Sequence, residues 1–238
     1  MIATSLQTQL NHPFKEQGIL LIDKPKGKTS FYLVYRLRKI TGIKKIGHAG
    51  TLDPLATGVM VMLVGQKFTR MTPTLIQHDK TYETRILLGC TTDTYDIDGQ
   101  IVEKSTIIPS SFEIESVISN FQGKILQTPP MYSAKKHKGK KLYELARKGE
   151  EVERAPKEIE VTTEILAYNY PYLDLRISCS SGTYIRTIAH DIGQLLGCGA
   201  TVFELKRIRS GCFHLNECIN IDLLDDENFN YTDYLRSN

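Results

Sequence analysis

No wholly apolar run in this 238-residue chain is longer than six residues, Val59 to Val64. A bilayer needs about 20 apolar residues in a helix, so no segment can cross one that way. The interior has to be assembled from many short elements. Val59 to Val64 has no polar alternation, which marks a strand covered on both faces. Other segments alternate. Tyr82, Thr84, Ile86 and Leu88 share one side of a strand, and Leu173, Leu175 and Ile177 share one side of another. Gly18 to Asp23 reads as a short buried strand ended by the turn Lys24-Pro25-Lys26-Gly27, and Thr201 to Ile208 as a further strand. Helical spacing occurs at Leu33, Val34, Leu37 and Ile40, with Ser30 as cap and Gly42 as stop. It recurs at Ile114, Val117, Ile118 and Phe121, and at Ile185, Ile188, Ile192, Leu195 and Leu196, ending at Gly197. Strands and helices mix without a βαβ rhythm, so the expected class is α+β with a mixed or antiparallel sheet. No Gly-rich turn joins a strand to a helix start, which argues against a dinucleotide fold.

The formal charge of +3 conceals an asymmetry. Lys24 to Lys45 holds eight basic residues and no acid, Lys135 to Lys148 holds seven against Glu144 alone, and Lys206, Arg207 and Arg209 form a third cluster. Residues 216–238 carry a net −5, so the rest of the chain carries +8. Basic runs interleaved with Tyr32, Tyr35, Tyr132 and Tyr143 suit a polyanion partner, although Lys-rich loops also serve simply to solvate a surface. The five cysteines are odd in number and form no C-x-x-C pair, so neither a disulfide framework nor a zinc ribbon is expected, and reduced thiols in a cytoplasmic protein are. Met1 to Asn11 lacks the basic start and apolar stretch of a secretory signal.

The stretch that carries chemistry is Gly47-His-Ala-Gly-Thr-Leu-Asp-Pro-Leu-Ala-Thr-Gly58. Pro54 forces Asp53 into an extended conformation, on a loop just before the buried strand. Asp53 there suits a turn-former, a nucleophile, a general base or a metal ligand, and Asp in such loops is most often an Asx-turn residue. No second carboxylate or His follows at metal-ligand spacing, so no metal is expected.

This stretch resembles the signature of the TruB family of bacterial tRNA pseudouridine synthases. Gly18-Ile-Leu-Leu-Ile-Asp-Lys-Pro-Lys-Gly-Lys-Thr-Ser30, Asp79-Lys-Thr-Tyr82, Pro129-Pro-Met-Tyr-Ser-Ala-Lys-Lys136 with Gly139-Lys-Lys-Leu-Tyr-Glu-Leu-Ala-Arg147, Cys179-Ser-Ser-Gly-Thr-Tyr-Ile-Arg186 and Leu205-Lys-Arg-Ile-Arg-Ser-Gly211 resemble further family motifs, in family order. The resemblance covers about residues 18–213. It implies the pseudouridine synthase catalytic fold, with a central mixed, largely antiparallel sheet flanked by helices and loops. It also implies an isomerase that converts the uridine at position 55 of the tRNA T-loop to pseudouridine after flipping the base. That reaction has no redox change or net hydrolysis, so no cofactor is expected.

By the same resemblance Asp53 is the essential carboxylate and Arg186 its partner, a pairing that favours the charged form of the acid. Tyr82 packs on the target base and stands where the C5 proton leaves, although it equally fits the core side of its strand. His48 enters the RNA where the base departs, with an active-site base as its rival role. Tyr184 and Leu205 line the uracil pocket, and for Leu205 a plain core role fits as well. Lys24 is structural or faces phosphate. Lys135, Lys136, Lys138, Lys140 and Lys141, in a basic insertion of about residues 124–156, contact RNA phosphates or merely solvate that face.

The sequence departs from the family in two places. Many members carry a C-terminal RNA-binding PUA domain, whereas here about 25 residues follow Phe213 and they are acidic. The expected organisation is therefore a single catalytic domain over 1–238 with an acidic tail at 214–238 and no PUA domain, expected as a monomer with no obligate protein partner. The run Gly65-Gln-Lys-Phe-Thr-Arg70 also differs from the usual one, so neither Lys67 nor Arg70 is given a role. Two other functions fit less well. A tRNA-folding factor would not need Asp53, Arg186 and Tyr82 together, and a glycosidase would need a second carboxylate that the sequence does not place nearby.

Overall fold

The strand Thr57–Val64 is covered on both sides, as its unbroken apolar pattern requires. Met60 and Met62 face a large core with Leu20, Ile22 and the helix residues Leu33, Val34 and Leu37. Val59, Val61 and Leu63 face a second, smaller core with Ile19, Leu21, Phe68, Leu75 and Phe213. The computed structural model describes residues 16–237; the segment Met1 to Asn11 lies outside them.

These strands belong to a ten-stranded sheet. Its main path runs Ile219–Asn220, Gly18–Lys24, Thr57–Val64, Ala200–Ser210, Lys80–Leu88, Tyr172–Cys179, Lys157–Asn169 and Gln122–Gln127. Two pairings are parallel, Gly18–Lys24 with Ile219–Asn220 and Thr57–Val64 with Ala200–Ser210, and the others are antiparallel. The sheet is therefore mixed and largely antiparallel, as expected. Its alternating strands put polar residues on their open face, where Arg85 grips Asp174 through two bonds of 2.8 and 2.9 Å and Arg176 bridges Glu83 and Glu164.

The parallel contact in the middle is only two residue pairs deep, Lys206 with Thr57 and Arg207 with Gly58. Gly58 sits there at φ 101°, and a Cβ on it would lie 2.2 Å from the Arg207 carbonyl oxygen. Only glycine permits that approach. The short seam joins two halves of the sheet, and the Asp53 loop enters the sheet at it.

Two helix boundaries differ from expectation. Thr29, not Ser30, caps the helix Ser30–Thr41, its hydroxyl accepting the Tyr32 N–H. Ser30 is buried inside the first turn, where its hydroxyl donates to the Leu52 carbonyl and accepts the Leu52 N–H. Spacing alone does not show which of two adjacent hydroxyls points outward. The second helix runs Ser111–Ile118, opened by a Ser110–Glu113 capping box, and Phe121 reaches the same core from beyond its end.

The acidic segment does not trail. Ile219 pairs with Ile22, Leu224 is buried in the large core, and Arg236 exchanges backbone hydrogen bonds with Ile19. Asp225 pairs with Arg36 at 2.6 Å, so part of its charge neutralises the basic helix. Leu224→Ala is expected to cost about 2–5 kcal/mol, read as a lower urea midpoint at unchanged slope. Exposed Glu227→Ala should stay within about 0.5 kcal/mol of the parent.

Candidate active site

Three sets of bonds fix the Asp53 loop. Ser30 holds Leu52 by both backbone groups. The Gly27 N–H donates to the Pro54 carbonyl at 2.8 Å. The Lys24 ammonium donates to the carbonyls of Pro25, Lys28 and Pro54. Asp53 thus projects from a braced backbone. Among the described residues its carboxylate accepts no backbone N–H, so it is not an Asx-turn residue.

The carboxylate meets Arg186, on the first turn of the helix Ile185–Leu195. Arg186 is 4% exposed, and every arm of its guanidinium is committed. Nε donates to Asp53 Oδ2 at 2.8 Å, Nη1 to the Thr94 carbonyl at 2.7 Å and Nη2 to the Tyr132 carbonyl at 2.8 Å. A second carboxylate oxygen, Asp96 Oδ2, lies 3.5 Å from Nε. Burial raises the Asp96 pKa, opposed by its hydrogen bond from Thr94 and by the Arg186 charge. The carbonyl of Thr94 is aimed by an unusual neighbour. Tyr95 takes a left-handed φ of 64°, and its ring stacks on His190 at 3.9 Å. Bulky residues rarely hold that conformation without such support.

Asp53 and Arg186 line a cavity of about 270 Å³ together with Tyr82, Tyr184 and Leu205. Tyr82 is a buried residue of the strand Lys80–Leu88, and Leu205 sits across from Thr84 on the adjoining strand. Both therefore belong to the core and to the cavity wall at once. Burial pushes the Tyr82 phenol pKa up, and the charge of Arg207 works against it. Tyr184 caps the Arg186 helix and is held by Gln127, whose side-chain amide donates to the Tyr184 carbonyl at 3.0 Å and accepts its N–H at 2.8 Å.

Other expected site residues lie outside the cavity. Lys24 is 0% exposed, and its amine, brought down to about 8 chiefly by burial, braces the Asp53 loop, the structural of the two roles expected of it rather than the phosphate-facing one that would bind substrate. His48 sits on the strand Ile46–His48, next to Ala49 and Gly50 at the loop entrance but not in the cavity wall. Burial lowers its pKa, with the Arg207 charge acting the same way. Lys135, Lys136, Lys138 and Lys140 are exposed around the small hairpin Lys136–His137/Lys140–Lys141, and among the described residues none forms an ion pair. Lys141 donates to the Tyr143 hydroxyl at 3.1 Å. The hairpin is close to the cavity, because Ser133 and Ala134 line it directly before Lys135.

Sequence reasoning missed Asp96, Gln127 and the two carbonyls that hold Arg186. The only local signal was Asp93-Thr-Tyr-Asp-Ile-Asp-Gly99, three acids in a short run. It also gave no role to two buried groups in the wall. The Lys80 amine, brought to about 8 chiefly by burial, donates to the carbonyls of Ile76 and His78. The Cys179 thiol is pushed up to about 11, so it is no ready nucleophile. Among the described residues no cluster of His, Cys, Asp or Glu is arranged to hold a metal, and no helix is long and apolar enough to cross a membrane.

Two family models match the chain. The TruB family pseudouridylate synthase N-terminal domain covers residues 38–185, and the tRNA pseudouridylate synthase B C-terminal domain covers 186–237. The join falls inside the site, with Asp53 and Tyr82 in one and Arg186 and Leu205 in the other. The chain is 59% identical to a tRNA pseudouridine synthase B of Protochlamydia amoebophila, over 92% of this chain and 84% of that one. It is 56% identical to a tRNA pseudouridine synthase B of Chlamydia pneumoniae, over 93% and 94%. Among solved structures it is similar to a chain of a Cbf5-Nop10-Gar1 complex, with TM-score 0.68 and 32% identity, over 87% of this chain and 54% of that one. It thus spans about half of that solved chain. The mixed sheet and the match along nearly the whole described sequence agree: this chain belongs to the TruB family of pseudouridine synthases.

Proposed function

We propose that the chain is a tRNA pseudouridine synthase acting on the uridine at position 55 of the T-loop, with Asp53 as its essential carboxylate. The observation that carries this reading is the Asp53–Arg186 pair in the wall of a cavity that also holds Tyr82 and Leu205. The relatives' shared name supplies the substrate class. The cavity is large enough for a base and too enclosed for a stem, so the uridine has to leave its stack to enter. Tyr82 and Leu205 offer the base an aromatic ring and an aliphatic wall, while the half-exposed Asp53 stays within reach of the attached sugar. Isomerisation breaks the N1–C1′ bond and makes a C5–C1′ bond on the same sugar. The carboxylate serves the sugar in that exchange, and Arg186 keeps it in place. His48, beside the loop entrance, is suited to meet the strand the base has left.

Asp96 does not convert the site to a paired-carboxylate glycosidase. It sits behind Arg186, takes hydrogen bonds from the Thr94 hydroxyl and the Asp98 N–H, and is absent from the cavity wall. Hydrolysis of that kind needs two carboxyl groups flanking the bond that breaks.

The lysines Lys135, Lys136, Lys138, Lys140 and Lys141 grip phosphates in this reading, beside the cavity mouth. Replacing Lys136, Lys138 and Lys140 with Ala should flatten the log–log salt dependence of tRNA binding by about 2 to 3, one unit or slightly less per contact. An unchanged slope would show a solvated face.

A T-loop hairpin incubated with the wild-type protein should gain pseudouridine at the target position by chemical mapping. Asp53→Asn should lower the single-turnover rate by about 10²–10⁴-fold or more while hairpin affinity changes little. A wild-type protein that binds the hairpin and leaves the uridine unaltered would turn the assignment toward a binding factor. Arg186→Lys keeps the charge but not the three-armed grip. It should reduce kcat by about 10²-fold and also lower Tm, because two buried carbonyls lose their donor.

A further inference from the structure

Arg207 heads the fully buried side chains by size and is 1% exposed. Its Nε donates to the Val59 carbonyl at 2.8 Å, and Nη2 reaches the Gly50 carbonyl at 3.3 Å and the Met60 Sδ at 3.2 Å. These bonds stitch the central seam of the sheet. Among the described residues Nη1 reaches no carbonyl, the neutral Tyr82 hydroxyl is a side-chain hydrogen-bond partner of the guanidinium, and no carboxylate lies within ion-pair distance of any arm. Arg207 lines the Asp53 cavity, and a Cβ built on Gly50, another wall residue, would sit 3.5 Å from Nη1.

The surroundings offer no counter-charge. Lys24 and Lys80 are cations whose amines the Arg207 charge helps to bring down. The Cys179 thiol and the Tyr82 phenol are held neutral by burial. Asp53 is claimed by Arg186, and the Asp23 carboxylate accepts the Gly58 N–H. A buried cation at a cavity wall, met there by a neutral phenol and by no anion, is costly unless something that enters the cavity uses its charge. Of the parts of a flipped nucleotide, the base reaches the floor, while the phosphates stay outside with the backbone.

We propose that Arg207 is a catalytic contact to the target base, its Nη1 donating to a uracil ring oxygen and holding the negative charge that oxygen acquires as the glycosidic bond breaks. The inference rests on the synthase reading above. When N1–C1′ cleaves, both electrons go to the base, and the charge spreads from N1 onto the ring carbonyl oxygens. After the base turns, C5 supplies the pair that forms C5–C1′, the C5 proton is lost to a base, and N1 regains a proton, so atoms and charge balance. The carbonyl oxygen is neutral before cleavage and anionic after it, so the contact strengthens along the reaction. A fixed, buried donor is suited to that task.

Arg207→Gln and Arg207→Lys are compared with wild type on T-loop hairpins carrying uridine or 5-fluorouridine, measuring single-turnover loss of the N-glycoside. Fluorine draws charge from the ring and makes the base a better leaving group. On uridine Arg207→Gln is expected to slow cleavage by about 10²-fold or more, with hairpin affinity nearly unchanged. On fluorouridine the loss should be markedly smaller. Arg207→Lys, run in parallel should the neutral variant fail to fold, is expected to show a milder loss with the same bias. Equal losses on both substrates would reduce Arg207 to a strut of the seam and overturn the proposal alone. If the wild-type protein cleaves neither hairpin, the synthase reading and this proposal fall together.

Discussion

The guanidinium of Arg186 is the point on which the site depends. It is buried, and each of its arms ends on a different segment: the Asp53 loop, the Thr94 turn and the start of the basic insertion at Tyr132. A buried arginine is tolerable only when its donors are met, and here meeting them requires three loops to arrive together. The cavity wall therefore forms with the fold and not after it. The arrangement also leaves Asp53 structurally tied and yet accessible. One of its oxygens is held by Arg186, while 38% of its side chain remains exposed to whatever enters.

The seam between Thr57–Val64 and Ala200–Ser210 is the second constraint. Long antiparallel ladders on either side give the two halves rigidity, but only two residue pairs join them. A short contact leaves room where the strands diverge, and the Asp53 loop sits beside that opening. Arg207 strengthens the contact from the side-chain direction, through Val59 and Gly50. Gly58 is thus tied to the site as much as to the sheet, because any Cβ there would push the two halves apart.

Elements whose evidence is local were legible in the sequence. Five strands announced themselves by period two or by unbroken apolar runs, and Gly42 ended its helix in the left-handed conformation expected of it, whereas the long strand Lys157–Asn169 was not read although Ile159, Val161 and Thr163 alternate inward. Asp53 stood out because Gly and Pro surround it. Arg186, Tyr184 and Leu205 had no such local mark and were placed only by resemblance. Asp96, Gln127 and the Thr94 carbonyl escaped altogether, since a carbonyl's direction or an amide's partner is set by chain segments far apart in sequence. Whether Lys24 is structural or phosphate-facing was open in the sequence for the same reason. Its position in a basic run suggests phosphate, yet its amine is spent on three carbonyls around the Asp53 loop.

Charge counting needs the same correction. The run from Lys24 to Lys45 looks like the strongest polyanion signal, but Lys24 is internal and Arg36 is bound to Asp225. The acidic C-terminal segment thus offsets charge on the helix Ser30–Thr41, where it is docked, and does not shield the cavity mouth. Beside that mouth, Lys135, Lys136, Lys138 and Lys140 are exposed and have no carboxylate partners among the described residues. A net charge near zero is therefore compatible with a local cluster of unpaired lysines, because part of the acidic charge is docked on the helix Ser30–Thr41. Attraction of that kind acts over about a Debye length, so the placement of these groups matters more to an approaching polyanion than the sum.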